Sequence, residues 1–187
     1  MKLAVVFPGI GYHVDKPLLY YSKKIAEEQG YQVIDLPYGG FPQNVKGSPK
    51  KMEEVFRSAL SQSDRILDGI HFEEYEDILF LSKSVGTAVA AAFAQNHGLR
   101  TRNIFYTPVG ESFSFITQPG IVFHGTKDGW VETAVVKKEC ANRKLPLYIT
   151  KEGNHSLETG CAKKDLEHLM KIMEISAAYI AGNEPML

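Results

Sequence analysis

The sequence predicts an α/β protein with a mostly parallel sheet of about six strands and helices on both faces. Short apolar runs, typical of strands buried on both sides, alternate along the whole chain with longer segments of helical character. Because parallel strands are joined by crossover helices, this order favours a sheet that is covered on both faces. The length of 187 residues and the hydrophobic content of 44% predict one domain, 1–187, with a substantial core.

The first half of the chain is expected to contribute three strands and two helices. The opening strand, Leu3–Phe7, is apolar and is ended by a Pro-Gly pair. Proline is favoured at the start of a helix, and Pro17 therefore predicts a helix near Lys16–Glu28. The remaining elements of this half, in order, are a strand at Tyr31–Leu36, a helix near Pro49–Asp68 and an apolar strand at Asp77–Ser82.

The second half continues the alternation and ends in a helix. The alanine-rich segment from Ala88 to Gln95 predicts a buried helix that runs to about Asn96. The next elements, in order, are strands at Arg102–Tyr106 and Gly120–His124, a helix around Val131–Arg143 and a strand at Pro146–Thr150. The terminal helix, Ala162–Ala181, carries an apolar stripe that predicts a face docked on the sheet. The stripe consists of Leu166, Leu169, Ile172, Met173 and Ile180.

The composition argues against several classes of partner. The net charge is −1 with both signs mixed along the chain, so neither nucleic acid nor a strongly charged partner is expected. No apolar run is long enough to cross a membrane, and the first strand is too short for a secretory signal. Cys140 and Cys161 lack metal-ligand spacing and are expected to be reduced thiols in a cytoplasmic protein. No metal site is predicted, and the oligomeric state stays open.

The segment Ser82–Thr87 lies between the third strand and the alanine-rich helix. Ser84 at this turn is typical of a nucleophile elbow, in which a sharp strand-to-helix turn lifts the serine hydroxyl above the sheet. Gly86 supplies the small residue that such a turn needs, and Ser82 stands where a glycine is usual. By itself the segment does not decide between a nucleophile elbow and the alternatives, an ordinary βα turn or even a phosphate-binding helix start.

Two later segments place an acid and a base after other strands. Asp128 follows the strand that ends at His124, and His155 follows the last strand. Open α/β sheets bind ligands at the carboxyl ends of their strands, so Ser84, Asp128 and His155 are expected to converge. Asp128 also forms a common turn dipeptide with Gly129. The other histidines fit the role of the base less well. Three of them, His71, His97 and His168, fall near or within predicted helices. His124 is expected in the core, and His13 remains a possible pocket residue.

The chain order of serine, acid and histidine resembles that of the α/β-hydrolase superfamily, and in particular its small, lidless, single-domain serine esterases. The resemblance covers nearly the whole chain and implies a minimal α/β-hydrolase fold. It implies that Ser84 is the nucleophile, that His155 is the general base and that Asp128 orients the imidazole.

The same resemblance implies an oxyanion hole made of two backbone N–H groups. Val85, directly after the nucleophile, is expected to supply one of them. The second is expected from the glycine-containing loop after the first strand, with Ile10 as the preferred donor and Gly9 and Gly11 as alternatives.

The expected reaction is hydrolysis of a small or medium carboxylic ester or thioester through an acyl-enzyme on Ser84, with a small-molecule acyl substrate and no cofactor. The same triad could also serve a peptide bond. Lys83 could steer an anionic substrate, although an exposed turn lysine more often serves solubility. Aromatic residues could wall an apolar pocket, and we expect at least half of them to pack in the core instead. These aromatic residues are Tyr12, Phe41, Phe113, Phe115 and Trp130.

A second hypothesis is a non-catalytic or dinucleotide-binding α/β module. Gly9-x-Gly11 follows a strand, and Asp35 ends the next strand, as in dinucleotide-binding units. Val14 replaces the third glycine, and Pro17 predicts a helix that starts after the loop rather than at it. We therefore expect no binding of NAD or FAD.

Overall fold

The computed structural model describes residues 1–183, in which six strands form one parallel sheet. The strands are β1 (Lys2–Phe7), β2 (Tyr31–Asp35), β3 (Asp77–Lys83), β4 (Arg102–Tyr106), β5 (Gly120–Gly125) and β6 (Leu147–Thr150). Their order across the sheet is β2-β1-β3-β4-β5-β6, and every neighbouring pair is parallel. The predicted fold class is confirmed, and each predicted strand lies within one or two residues of its observed bounds.

Helices connect successive strands and cover both faces of the sheet. They are α1 (Pro17–Glu28), α2 (Pro49–Ile66), α3 (Val85–Asn96), α4 (Thr133–Arg143) and α5 (Ala162–Ile180), with short 3₁₀ turns at Phe72–Glu74 and Gly110–Ser114. Helices α1 and α5 pack on one face, and α2, α3 and α4 pack on the other. On the first face, Leu19 and Ile172 belong to the same core cluster as Leu81. On the second face, Ala59 and Phe93 share a cluster with Phe80, and Val136 shares another with Val122.

The predicted apolar stripe of α5 docks only in part. Ile172 and Ile180 are buried, and Leu169 and Met173 pack against the same core at their edges. Leu166 is 66% exposed, which corrects the prediction for this residue. It lies near the start of α5, where the helix borders a groove rather than a strand, so its side chain has no strand residue to pack on.

The strand order places the loops that follow β1 and β3 side by side. The chain runs from β1 outward to β2, then returns across β1 to β3 and continues in the other direction. Such a reversal opens a crevice at the carboxyl ends of the two strands, where α/β proteins bind ligands. The Gly9–Gly11 loop and Ser84 therefore meet at the centre of the sheet.

Both cysteines are free, with Cys140 buried in α4 and Cys161 exposed before α5. Burial raises the pKa of the Cys140 thiol to about 12, which makes it unreactive at neutral pH. No helix within residues 1–183 combines the length and the apolar character needed to span a bilayer.

Candidate active site

Ser84 occupies a strained turn between β3 and α3. Its backbone has φ 57° and ψ −127°, a combination that non-glycine residues rarely adopt. The turn is held by the Ser84 N–H, which donates to the carbonyl of Tyr106 at 3.0 Å. A Cβ on Gly86 would lie 2.3 Å from the Phe7 carbonyl oxygen, so α3 can approach β1 this closely only with glycine there. This is the close approach that the sequence motif predicted.

The structure brings Ser84, His155 and Asp128 into one hydrogen-bonded relay. His155 Nε2 lies 2.8 Å from Ser84 Oγ, and His155 Nδ1 lies 2.8 Å from Asp128 Oδ2. An ionised carboxylate only accepts hydrogen bonds, so the imidazole Nδ1–H must be the donor to Asp128. In the neutral ring Nε2 is then free to accept the hydroxyl proton of Ser84, which is the orientation that a general base requires.

The loops that carry the acid and the base are tied to each other. A Cβ on Gly125 would lie 2.2 Å from the Gly153 carbonyl oxygen, and the Lys127 N–H donates to that same oxygen at 2.8 Å. The Trp130 N–H donates to Asp128 Oδ1 at 2.8 Å, which fixes the second carboxylate oxygen. The roles of Gly125, Gly153 and the Trp130 N–H were not predicted from the sequence. The sequence offered one signal for this approach, which is that Gly125 comes directly after a predicted buried strand.

Comparison with solved structures identifies the fold. Est1E from Butyrivibrio proteoclasticus superposes with a TM-score of 0.70 at 12% identity, covering 97% of this chain and 87% of that chain. A candidate hydrolase of the alpha/beta superfamily from Xanthomonas campestris pv. campestris gives 0.67 at 14% identity, covering 97% of both chains. An alpha-beta serine hydrolase homologue from Coxiella burnetii gives a TM-score of 0.64 at 16% identity, covering 96% of this chain and 84% of that chain. The chain has the α/β-hydrolase fold.

The predicted resemblance is thus confirmed at the level of the fold. No protein-family sequence model matches the chain, and no curated protein is similar to it in sequence. The Xanthomonas protein is covered almost completely, so a version of the α/β-hydrolase fold of this small size also occurs there.

Within this α/β-hydrolase fold, burial and charge set the protonation of the relay. Burial lowers the pKa of the His155 imidazole, the hydrogen bond to Asp128 opposes this, and the nearby Lys83 ammonium lowers it further. Burial by itself would raise the pKa of Asp128. The hydrogen bond and the charge of His155, together with the hydrogen bond from the Trp130 N–H, have a larger effect in the opposite direction. They hold the pKa of Asp128 below its usual value. The resting relay is therefore a carboxylate beside a neutral imidazole.

A second histidine, His124, borders Asp128 from within the core. It is fully buried, its Nε2 lies 3.0 Å from Thr133 Oγ1, and its Nδ1 lies 3.8 Å from Asp128 Oδ2. Burial lowers its pKa, so the ring is neutral. This agrees with the prediction of a buried, hydrogen-bonded His124. His13 is two-thirds exposed and faces Asp15 at 3.9 Å, away from the relay, so it is not the pocket residue considered from the sequence.

The two backbone N–H groups predicted as oxyanion donors belong to Val85 and Ile10. Val85 is the first residue of α3, and N–H groups in the first turn of a helix have no intrahelical acceptor. The Ile10 N–H has no backbone acceptor within residues 1–183. The Gly9 N–H donates to the Tyr12 carbonyl at 3.1 Å, which rules out Gly9 as an alternative donor. Gly11, with φ 68°, supplies the left-handed residue of the same turn.

The candidate pocket aromatics separate into two groups. Trp130 stacks on the His155 ring with centroids 5.3 Å apart, and Tyr12 lines a groove beside the oxyanion loop. Phe113 is 3% exposed in the core under α4, so its assignment to the pocket is wrong. Phe115 stacks on Phe56 at 5.0 Å, and Phe41 packs on Tyr38 at 5.9 Å, so both serve mainly to hold α2 and its preceding loop.

Two cavities flank the relay. One of about 330 Å³ is lined by Val45, Met52, Val109 and Trp130 and opens next to the acid loop. The other, of about 320 Å³, is lined by Tyr12, Leu18, Leu157 and Leu166. Each cavity is lined by a residue next to His155. In the first cavity it is Trp130, which stacks on the His155 ring, and in the second it is Ser156, which follows His155 in the chain. Ser84 is 7% exposed and does not line either cavity.

Residues 1–183 show few of the features that a dinucleotide or metal site requires. Helix α1 begins only at Pro17, after the glycine loop, and Asp35 Oδ2 binds the ammonium of Lys23 at 2.7 Å. One oxygen of the carboxylate that a dinucleotide ribose would need is therefore already bound. Among residues 1–183 no three His, Cys, Asp or Glu side chains converge in a way that could hold a metal ion.

Lys83 differs most from its sequence-based interpretation. Both roles considered from the sequence, steering a substrate and improving solubility, require an exposed side chain. In the structure Lys83 is 1% exposed, with Nζ 4.9 Å from the centre of the Tyr12 ring. As the last residue of β3, it shares a face with Leu81 and points under the loops of Tyr12 and His155.

Proposed function

We propose that this protein is a serine hydrolase that cleaves a small or medium carboxylic ester or thioester through an acyl-enzyme on Ser84. The observation that carries the proposal is the relay of two 2.8 Å hydrogen bonds from Ser84 through His155 to Asp128. An ordinary serine hydroxyl is a poor nucleophile, and a neutral imidazole held by a carboxylate is the usual means of activating it.

The reaction follows from the positions of these groups. Ser84 Oγ attacks the acyl carbon as His155 Nε2 takes its proton, and the Val85 and Ile10 N–H groups stabilise the oxyanion that forms. His155 then gives the proton to the leaving alcohol or thiol. A water molecule, deprotonated by His155, hydrolyses the acyl-enzyme and regenerates the Ser84 hydroxyl.

The cleft beside Trp130, which is lined by apolar side chains and also by Lys46 and Glu111, is our candidate for the substrate site. It lies between the loop before α2 and the loop of Asp128, and its volume of about 330 Å³ is at the lower end of the usual range for ligand pockets. Structural neighbours named esterase or serine hydrolase homologue support this class of substrate, including esterase Pf2001 from Pyrococcus furiosus.

Covalent labelling tests the proposal directly. Fluorophosphonates react with activated serines because the phosphonyl adduct resembles the tetrahedral intermediate. We expect one adduct, located on Ser84 by peptide mass analysis, and hydrolysis of short p-nitrophenyl esters. Ser84→Ala should abolish both while the protein stays folded.

Ser82→Ala is the matched control, because Ser82 is buried in the same segment and donates to the Ile104 carbonyl at 3.1 Å rather than to the relay. This variant should keep its labelling. An unlabelled Ser84 in folded protein, or esterase activity that survives Ser84→Ala, would contradict the proposal. Saturable micromolar binding of NAD in calorimetry would instead favour the dinucleotide-binding hypothesis.

A further inference from the structure

A buried ammonium lies directly beside the candidate nucleophile. Lys83 precedes Ser84 in the chain and is 1% exposed. Within the part of the chain that the structure describes, its Nζ makes no hydrogen bond and no ion pair, and its nearest specific contact is the face of Tyr12 at 4.9 Å. Burying an unpaired charge costs free energy.

The charged groups around Lys83 come from each loop that covers it. Asp128 follows β5 and Glu158 follows β6, and both carboxylates attract the ammonium. Lys16, just before α1, repels it. His155 Nε2 lies 2.8 Å from the hydroxyl of Ser84, the residue that follows Lys83, and the Lys83 charge lowers the pKa of this imidazole. Tyr12 is uncharged, because burial raises the pKa of its hydroxyl well above neutrality.

Asp128 therefore faces Lys83 and His155, two groups that can carry a positive charge, as well as the buried, neutral His124 ring. A second cation near a buried carboxylate is less favourable than the first, because the two cations repel each other at low dielectric. When Lys83 is protonated, its positive charge already balances part of the negative charge of Asp128. Adding a second positive charge by protonating His155 is then less favourable.

We propose that Lys83 is a positioning residue that acts through His155: its buried charge keeps the imidazole neutral and able to accept the Ser84 proton in mildly acidic conditions. This inference rests on the proposed serine hydrolase function. Burial lowers the pKa of Lys83 to about 7, against the attraction of Asp128 and Glu158, so the Lys83 side chain is mostly charged in mildly acidic conditions.

The experiment compares the parent with Lys83→Met, which removes the charge and keeps the length of the side chain. The pKa of His155 is measured by ¹H–¹⁵N NMR titration, which needs no activity. The rate of fluorophosphonate labelling of Ser84 is measured over the same pH range. Lys127→Met is the matched control, because Lys127 is next to Asp128 in the chain but is 67% exposed and pairs with Glu152.

We expect Lys83→Met to raise the pKa of His155 by about 0.5 to 1 unit, from a partly screened Coulomb interaction. The acid limb of the labelling profile should move to higher pH by a similar amount. Lys127→Met should shift neither, because water and salt screen its charge. Lys83→Gln, which also removes the charge, should shift both in the same direction.

The outcomes separate the two proposals. An unlabelled parent would refute the hydrolase function, whereas a labelled parent with an unchanged His155 titration in Lys83→Met would refute only the role of Lys83. An equal shift in Lys127→Met would also overturn it, because the effect would then be one of general charge. If neither Lys83 variant folds, the ammonium is a structural requirement and the proposal is wrong.

Discussion

At the scale of single residues, the candidate site depends on how Asp128 holds one histidine in one tautomer. The carboxylate accepts from the His155 Nδ1–H through Oδ2 and from the Trp130 N–H through Oδ1. Both carboxylate oxygens are thus bound, and the ring cannot turn without losing a charge-assisted hydrogen bond. The stacked Trp130 ring restricts the same motion from one side.

This arrangement predicts the effect of Asp128→Asn. An asparagine that turns its amide nitrogen towards His155 would donate to Nδ1 and place the ring proton on Nε2, the wrong tautomer for a base. We expect turnover of p-nitrophenyl esters to fall by about 10⁴-fold, as in serine proteases, with little change in the fold. Asp68→Asn, at an exposed carboxylate after α2, should leave the rate unchanged. A loss below about tenfold in Asp128→Asn would mean that Asp128 does not orient the base.

At the scale of elements, the site is assembled by backbone approaches that tolerate no side chain. Gly86 brings α3 against the end of β1, and Gly125 brings the acid loop against Gly153 in the base loop. In both cases an added Cβ would meet a backbone oxygen, so a whole segment would have to move rather than a flexible side chain.

Gly86→Ala tests how far the elbow depends on this approach. A Cβ 2.3 Å from the Phe7 carbonyl oxygen would push α3 away from β1. We expect a loss of about 3 kcal/mol or more in the free energy of unfolding by urea, together with slower labelling of Ser84. Gly39→Ala is the control, since nothing lies within 4 Å of its added Cβ, and its stability should stay within about 0.5 kcal/mol of the parent. Equal effects of the two variants would contradict the packing argument.

At the scale of the whole molecule, the buried lysine links stability to pH. The folded state holds the pKa of Lys83 at about 7, below its ordinary value of 10.5. Between these two pH values the unfolded chain binds the proton more readily than the folded chain, so this group makes stability rise with pH. The penalty for burying the ammonium is complete below pH 7 and disappears above 10.5.

Thermal unfolding of the parent and Lys83→Met checks this linkage. The methionine variant should have the higher Tm at pH 6 to 7, because an apolar side chain replaces a buried, unpaired charge. The difference should shrink steadily as the pH rises towards 10. A parent that is the more stable protein at pH 7, or a difference that does not depend on pH, would show that Lys83 is not a buried charge of this kind.

The sequence by itself determined the order of the elements and the identity of the candidate triad. Apolar runs alternating with helical segments are a local signal, and the bounds of all six strands followed from it within one or two residues. Ser84, Asp128 and His155 could be selected because parallel strands bring their carboxyl ends to one edge, whatever the details of packing. These inferences need only the chain order and the handedness of crossovers.

Only the tertiary structure decided the burial of individual side chains and the use of individual N–H groups. Lys83 follows a buried strand and precedes a turn, and nothing in its neighbours along the chain indicates that loops from β1 and β6 cover it. Phe113 packs in the core and Leu166 is exposed for the same reason, since each depends on elements distant in sequence. The Gly9 N–H donates to the Tyr12 carbonyl within a four-residue turn, and the sequence did not show that this N–H is used there. Periodicity is a property of a segment, whereas burial is a property of the assembled sheet, helices and loops.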